Sequence, residues 1–349
     1  MRLDELDYEF PADLIAQRPS EPRDACRLLV VDRHTGGLAH RTFADLPELL
    51  LPGDVVVLND SRVLPARVQT LKPTGGRVEL LFLHPTNGQD TWEVLARPSN
   101  RLRPGTRVNM PGGETLHLVE LLGEGRWLVA AKAGTDVVAA LQRHGEMPLP
   151  PYIKTPLAAA DEYQTVYAEP LGSAAAPTAG LHFTPDLLDR LSAADVETVR
   201  VTLHVGLDTF RPITEPTVED HVIHREVYEV GEGAAAALDT ARADGRRVVA
   251  VGTTAVRVLE TLYAEARPAG PHTGPLAGST DIYITPGHRF SAVDALLTNF
   301  HLPRTSLLAL VMAFAGGETI RDAYREAVAC RYRLFSFGDA MLVEGRPPR

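Results

Sequence analysis

The sequence predicts an α/β protein: a mixed-sheet α/β main domain whose chain is interrupted by an inserted all-β, barrel-like domain. Three observations carry this reading. At 349 residues the chain exceeds one ordinary core, so two domains are expected. Beyond residue 199, apolar strand-like segments alternate with helix-patterned ones, the rhythm of an α/β sheet. Between residues 65 and 150, short alternating segments are separated by turns rich in Gly and Pro, the pattern of a small barrel. The main domain is assigned residues 1–64 and 151–349, and the insert residues 65–150.

Taken in order, GDVVVL (53–58) reads as a strand, Asn59–Asp60 as the start of a turn, and 62–68 as a second extended piece. RVELLFL (77–83) follows the Gly75–Gly76 turn as a hairpin partner. TWEVLARP (91–98), TRVNM (106–110), ETLHLVELL (114–122) and RWLVAA (126–131) continue as short strands, with a short helix at 135–144. EMPLPPYIK (146–154) is a Pro-rich return. VRVTLHV (199–205) alternates, with Val199, Val201, Leu203 and Val205 on one face and Thr202 and His204 on the other. RRVVAV (246–251) reads as a buried strand before the helix AVRVLETLYAEA. Strands at 280–284 and 295–300 and a helix from about 304 to 314 complete the rhythm, and 264–278 reads as a surface loop.

The formal charge of −10 speaks against coating nucleic acid non-specifically. One segment departs from it. Arg62–Arg107 holds eight basic residues (Arg62, Arg67, Lys72, Arg77, Arg97, Arg101, Arg103, Arg107) against Glu79, Asp90 and Glu93, a local +5. A second basic group, Arg321, Arg325, Arg331 and Arg333, lies near the C-terminus. The opening MRLDELDYEF has no apolar run, so no signal peptide is expected, and Leu307–Ala315 is too short to span a bilayer. Two cysteines, Cys26 and Cys330, make neither a disulfide framework nor a zinc knuckle. A reduced, cytoplasmic protein is expected.

No phosphate-binding loop and no dinucleotide fingerprint occurs, so ATP and NAD chemistry have no support. Polar residues gather instead where apolar strands end. AAPTAGLHFT (175–184) has no charged side chain and ends on His182, Phe183 and Thr184; its small residues (Thr178, Gly180) suit close approach of a ligand to backbone. TLHVGLDTF places His204 before Gly206 and Phe210. AVGTTAVRVLE offers Gly252, with Thr253 or Thr254 to cap the helix and Arg257 on its first turn, a place for an anion. TNFHLPRTSLL sets Asn299 and His301 at a strand end. Ligands of open α/β sheets sit at the carboxyl ends of strands, so these ends are expected to share a site. EDHVIHREVYEV brings His221, His224 and Glu226 at a spacing that matches no usual zinc set, so polar contacts are expected there and no metal.

These motifs, with LIAQRPSEPRDACRLLV, PGDVVVLNDSRVLPARV, MPLPPYI, YQTVYA and YRLFSFGDAML, run nearly end to end. Together they resemble the S-adenosylmethionine:tRNA ribosyltransferase-isomerase (QueA) family. The resemblance implies an α/β domain with an inserted β-barrel. It implies transfer and isomerisation of the ribosyl moiety of S-adenosylmethionine (SAM) onto 7-aminomethyl-7-deazaguanine at the wobble position of a tRNA with a GUN anticodon. Epoxyqueuosine, adenine and methionine result. SAM is then a substrate, and no cofactor or metal is required. The partners implied are that tRNA and SAM, with no membrane, and a monomer is expected. Asp208 stands where Gly is common in the family, and Ile223 and Arg225 depart from its Met and Ser.

The implied chemistry needs a base for a C5′ hydrogen acidified by the sulfonium, an acid for departing adenine, and a neutral attacking amine. Groups titrating near the working pH suit these steps. His182, His204 and His301 are the candidates, with Asp220 and Glu226 next. Thr178, Gly180, Phe183, Thr184, Gly206, Phe210, Thr253, Thr254, Arg257 and Asn299 are the expected substrate contacts, with Arg62, Arg101, Arg103 and Arg333 for tRNA. Two other readings are a non-catalytic tRNA-binding module and a SAM-dependent methyltransferase; the latter calls for a Gly-rich loop after a first strand.

Overall fold

The computed structural model describes residues 1–86, 90–206, 212–264, 272 and 274–345. It contains two compact units, Met1–Ser61 with Pro151–Pro170 and Ala176–Arg349, and Arg62–Pro150 with Leu171–Ala175.

The first unit is built on a nine-stranded mixed sheet. In spatial order its strands are Leu276–Thr280, Glu226–Val230, Glu197–Leu203, Val55–Asn59, Val248–Val251, Ala295–Asn299, Ala340–Glu344, Arg27–Asp32 and Leu38–Thr42. The four central strands, from Glu197–Leu203 to Ala295–Asn299, run parallel. Ala340–Glu344 turns antiparallel to Ala295–Asn299 and pairs parallel with Arg27–Asp32. Val55–Asn59 is buried at every position, as a parallel strand covered on both faces should be. Val56 and Leu58 join Leu187, Leu191 and Phe183 in one core cluster, while Val55, Val57, Ala250 and Leu296 point to the other face and are equally buried. Helix Gly252–Leu262 packs across the central strands, and helix Glu232–Ala243 against Glu197–Leu203.

The mixed sheet agrees with the expected fold class; several elements differ from the sequence reading. The strand expected at 280–284 lies at Leu276–Thr280, so it begins inside the tract read as a loop. Its partner Glu226–Val230 shows the reason: Tyr228 faces Gly278 across the ladder, and a Cβ at 278 would meet the Tyr228 ring at 2.8–3.2 Å. Small residues there serve strand packing. Strands Arg27–Asp32, Leu38–Thr42, Glu226–Val230 and Ala340–Glu344 and helices Pro185–Ala193, Glu232–Ala243 and Gly317–Ala329 are further elements that the sequence reading did not delimit.

The second unit is a closed six-stranded antiparallel barrel: Arg126–Ala131, Thr91–Arg97, Arg77–Thr86, Arg67–Leu71, Arg107–Asn109 and Thr115–Gly123, with the last strand pairing to the first. Alternation is strict from Arg77 to Phe82, where Val78, Leu80 and Phe82 point in, and ends at the bulge that follows. They meet Trp92, Val94, Trp127 and Val129, and helix Val137–His144 adds Val137, Ala140 and Leu141 to the same core. The Trp127 indole N–H donates to Ser99 Oγ at 2.8 Å, satisfying the one polar atom of the largest core side chain. Leu171–Ser173 pairs parallel with Arg62–Val63.

Candidate active site

The parallel strands of the first unit end along one edge, where the chain leaves at His204, Asp60, Gly252 and Phe300. Three gaps of roughly 4.8 Å make that edge roughly 14 Å long. Asn59 ties two of the ends together: its amide donates to Leu203 O and accepts from Leu203 N, both at 3.0 Å, and its Oδ1 also accepts from Ser61 N at 3.1 Å.

At one end of the edge, Asn299 Nδ2 donates to His182 Nε2 at 2.9 Å, and Asn299 Oδ1 accepts from Thr178 Oγ1 at 2.9 Å. With Nε2 as acceptor, the His182 proton sits on Nδ1, which faces Cys26 Sγ at 3.3 Å. His301 Nε2 lies 2.9 Å from Thr298 Oγ1; its backbone N–H donates to Tyr324 OH and its carbonyl accepts from Tyr8 OH. Thr178, Asn299 and His301 line a small pocket with Tyr152, Phe335 and Ser336, and Tyr152 OH lies 2.7 Å from Ser336 Oγ.

Electrostatics correct the expected roles of the histidines. Burial pushes His182 down to about 3, with Arg333 and Arg23 adding to the effect, and burial pushes His301 down to about 3. Both rings are neutral near pH 7, and neither titrates near the working pH. His204 is also lowered by burial, while the Glu229 and Asp60 charges oppose this. Its Nδ1 is shielded and has no partner among the described residues.

Glu226 and Arg257 occupy each other. They form a buried ion pair, Glu226 Oε1 accepts from Gly206 N at 2.7 Å, and Arg257 Nε donates to Ile282 O at 3.3 Å. This corrects Arg257 as a free cation at the helix start and Glu226 as a free acid or base. Thr253 and Thr254 are buried but do not cap: helix Gly252–Leu262 has no side-chain cap, and Gly252 enters it at φ +81°. Thr254 Oγ1 has no partner among the described residues.

The bare run is a buried corner. Thr178–His182 is a 3-10 turn, and a Cβ on Gly180 would stand 2.1 Å from Tyr167 OH, so Gly180 makes room for protein rather than ligand. Phe183 is core, edge-on to Phe43 at 5.2 Å. Thr184 caps helix Pro185–Ala193 by accepting from Leu187 N, and donates to Asp24 at 3.1 Å. Asp220 is exposed on a short turn at Val218–Asp220. His221 pairs with Glu215 at 3.0 Å. Phe210 and Asp208 lie outside the described residues.

Arg333 is anchored to Ser20 Oγ at 2.8 Å and to the Arg18 carbonyl. Its neighbours are also matched: Arg321 with Glu5, Arg325 with Asp322, Arg331 with Asp13. Three of the four C-terminal arginines are thus ion-paired, while Arg333 bonds neutral oxygens. In the second unit, Arg62 and Arg101 are exposed with no carboxylate partner among the described residues, and Arg103 donates to the carbonyls of Asn100 and Leu102.

Sequence reasoning passed over Asp60 and Tyr167. Asp60 is the first residue past the parallel strand Val55–Asn59, buried, and held by Thr202 Oγ1 at 2.7 Å. The strand-end rule applied to His204 and Asn299 would have found it; reading Asn59–Asp60 as a turn start concealed it. Tyr167 carries no pattern in the sequence that places it against Gly180.

Comparison with known proteins agrees with the barrel and the mixed sheet. A family profile described as "Queuosine biosynthesis protein" matches residues 3–343. A Rubrobacter xylanophilus protein named S-adenosylmethionine:tRNA ribosyltransferase-isomerase is 55% identical over 345 residues, covering 99% of this chain and 98% of its own. One of the same name from Symbiobacterium thermophilum is 52% identical, covering 98% and 100%. A crystal structure of S-adenosylmethionine tRNA ribosyltransferase from Thermotoga maritima aligns with a TM-score of 0.56 at 38% identity, over 97% of this chain and 99% of that one. With its profile spanning nearly the whole length and relatives above half identity, the chain belongs to the queuosine biosynthesis family.

Proposed function

We propose that this protein is an S-adenosylmethionine:tRNA ribosyltransferase-isomerase. It moves and isomerises the ribosyl moiety of SAM onto 7-aminomethyl-7-deazaguanine at the wobble position of a GUN-anticodon tRNA, giving epoxyqueuosine, adenine and methionine. The observation that carries the reading is end-to-end similarity to enzymes of that name, 46–55% identical over nearly their whole length. The polar carboxyl edge of the sheet is its physical support, being where α/β sheets take ligands.

In this reading SAM is a substrate and the protein supplies orientation and proton handling without a further cofactor. The Thr178–Asn299–His182–Cys26 chain fixes the floor of one end of the edge; its neutral imidazole adds no positive charge to repel the sulfonium. Thr178, Asn299 and His301 face the pocket and serve as hydrogen-bonding contacts. The exposed arginines of the barrel, Arg62 and Arg101 among them, offer phosphate contacts to tRNA. Both substrates occur in the cytoplasm, where the reaction is placed. Among the described residues no helix is long and apolar enough to cross a membrane.

The test is release of adenine from SAM, measured with and without tRNA carrying the 7-aminomethyl-7-deazaguanine precursor. Adenine formed only with that tRNA, with mass gain on the tRNA, is the expected result. Binding of tRNA without adenine release would return the protein to the non-catalytic reading, and methylated tRNA to the methyltransferase reading.

A further inference from the structure

The carboxyl edge of the first unit holds more polar atoms than its own hydrogen bonds use. Ser61 Oγ, Thr165 Oγ1, Tyr167 OH, His204 Nδ1 and Thr254 Oγ1 are all shielded from solvent and without a partner among the described residues. A buried hydroxyl or ring nitrogen left unpaired costs about 1–3 kcal/mol. Ser61 and His204 follow two of the parallel strand ends and Thr254 lies in the helix after a third, while Thr165 and Tyr167 pack at the Gly180 turn; the three at the strand ends point to a polar molecule that completes their bonds.

Asp60 stands in the same group. It is 8% exposed, at the end of strand Val55–Asn59. Its backbone is fixed on both sides, N–H to Val201 O at 3.0 Å and carbonyl to Glu169 N at 2.9 Å. Thr202 Oγ1 holds Oδ1 at 2.7 Å, and no other side chain among the described residues engages Oδ2. Tyr167 and His204 both lie close enough to feel its charge, as do Arg200 and Glu169. Tyr167 is in turn fixed by the turn at Gly180, where no Cβ fits.

We propose that Asp60 is the base that removes the C5′ proton of SAM. The inference rests on the reaction proposed above. In the step, the Asp60 carboxylate takes the proton, the C5′–H bond breaks, and its electron pair stays on C5′ beside the sulfonium, leaving a neutral carboxylic acid. The geometry favours this group over the histidines. Both ring nitrogens of His182 are engaged and Nε2 of His301 is engaged, and each ring is a weak base in its buried place. Asp60 keeps one oxygen uncommitted, its charge attracts the sulfonium cation, and burial raises its affinity for a proton above that of an exposed carboxylate.

The experiment compares wild-type enzyme with Asp60→Asn, using SAM tritiated at C5′ and precursor tRNA. Expected for D60N are a loss of 100-fold or more in kcat, no tritium released to water, and a loss of SAM affinity that is much smaller than the loss in kcat. A raised KM with kcat and tritium release intact would overturn the assignment, because Asp60 would then only hold the ribosyl group. Wild-type enzyme that makes no adenine would sink the reaction itself, whereas active wild type with equally active D60N sinks the assignment alone. Should D60N fail to fold, Thr202→Val supplies the answer. Thr202 stabilises the ionised carboxylate, so its loss should move the acidic limb of the kcat/KM profile to higher pH; an unmoved limb overturns the proposal.

Discussion

The two units treat their arginines differently. In the first, most are matched: Arg27 with Asp339, Arg247 with Asp54 and Glu344, Arg257 with Glu226, Arg304 with Asp7, Arg331 with Asp13. In the barrel unit, the ion pairs of arginine include Arg126–Glu93 and Arg143–Glu114. Arg62, Arg77, Arg97, Arg101 and Arg107 are exposed and form no ion pair among the described residues, although Arg97 stands opposite Glu79 in the ladder. An arginine already facing a carboxylate has spent its field on the fold. Exposed, unmatched arginines in a chain of net charge −10 are a surplus that folding does not explain, and they are the ones open to an anionic partner. Charge counted along a sequence cannot separate the two kinds.

The comparison breaks first, and with the largest effect, at the buried pair. Arg257→Ala leaves Glu226 buried and uncompensated and should destabilise the protein by about 3–5 kcal/mol in denaturant titration. If stability is unchanged, the pair is not structural and Arg257 returns as a ligand contact.

Acid comes next. His182 and His301 have folded-state pKa values depressed to about 3, below their unfolded 6.5. The unfolded chain therefore binds more protons between pH 6.5 and 3, and stability falls as pH falls through that window. Each ring contributes a slope of up to about 1.4 kcal/mol per pH unit. His301→Gln should flatten the measured stability-against-pH curve there, and an equally steep curve would show that the ring is not held neutral.

In the barrel, Arg97→Ala with Arg101→Ala should weaken tRNA binding. The slope of log K against log salt should fall by about 0.7–0.9 for each phosphate that the variant no longer neutralises. The melting temperature should stay where it was. Binding with the same affinity and salt slope as the parent would remove the barrel from the docking surface. The smallest effect is expected for Arg331→Ala, whose charge is matched by Asp13: tRNA salt dependence should not change, and a clear drop would show that the pair opens to accept RNA.

The barrel strands were legible where they are half-buried: from Arg77 to Phe82 and in Thr91–Arg97 every second residue points into the core, so burial writes period two into the chain. Val55–Asn59 and Val248–Val251 were legible as continuous apolar runs. Leu38–Thr42 was not, because at the sheet's edge it has only intermediate and exposed residues and so carries no apolar pattern. Glu226–Val230 does alternate, but its first buried position is a glutamate, which reads as surface until Arg257 is seen beside it. Asn299, His301 and His204 were visible at strand ends; that Asp60 belongs with them was hidden by its resemblance to an ordinary turn residue.

What the sequence determined by itself was periodicity and composition: a barrel inside an α/β chain, polar residues where apolar runs stop, and motifs that identify a family. These are local properties, set by side chains a few residues apart. Only the tertiary structure decided which charges are matched and which rings are dry. Glu226 and Arg257 are 31 residues apart, Cys26 and His182 are 156 apart, and Asp60 and Thr202 are 142 apart. Whether a carboxylate is a base, a counter-ion or a cap depends on which of these distant groups the fold brings to it and how much water it leaves behind, and neither is written in the neighbouring residues.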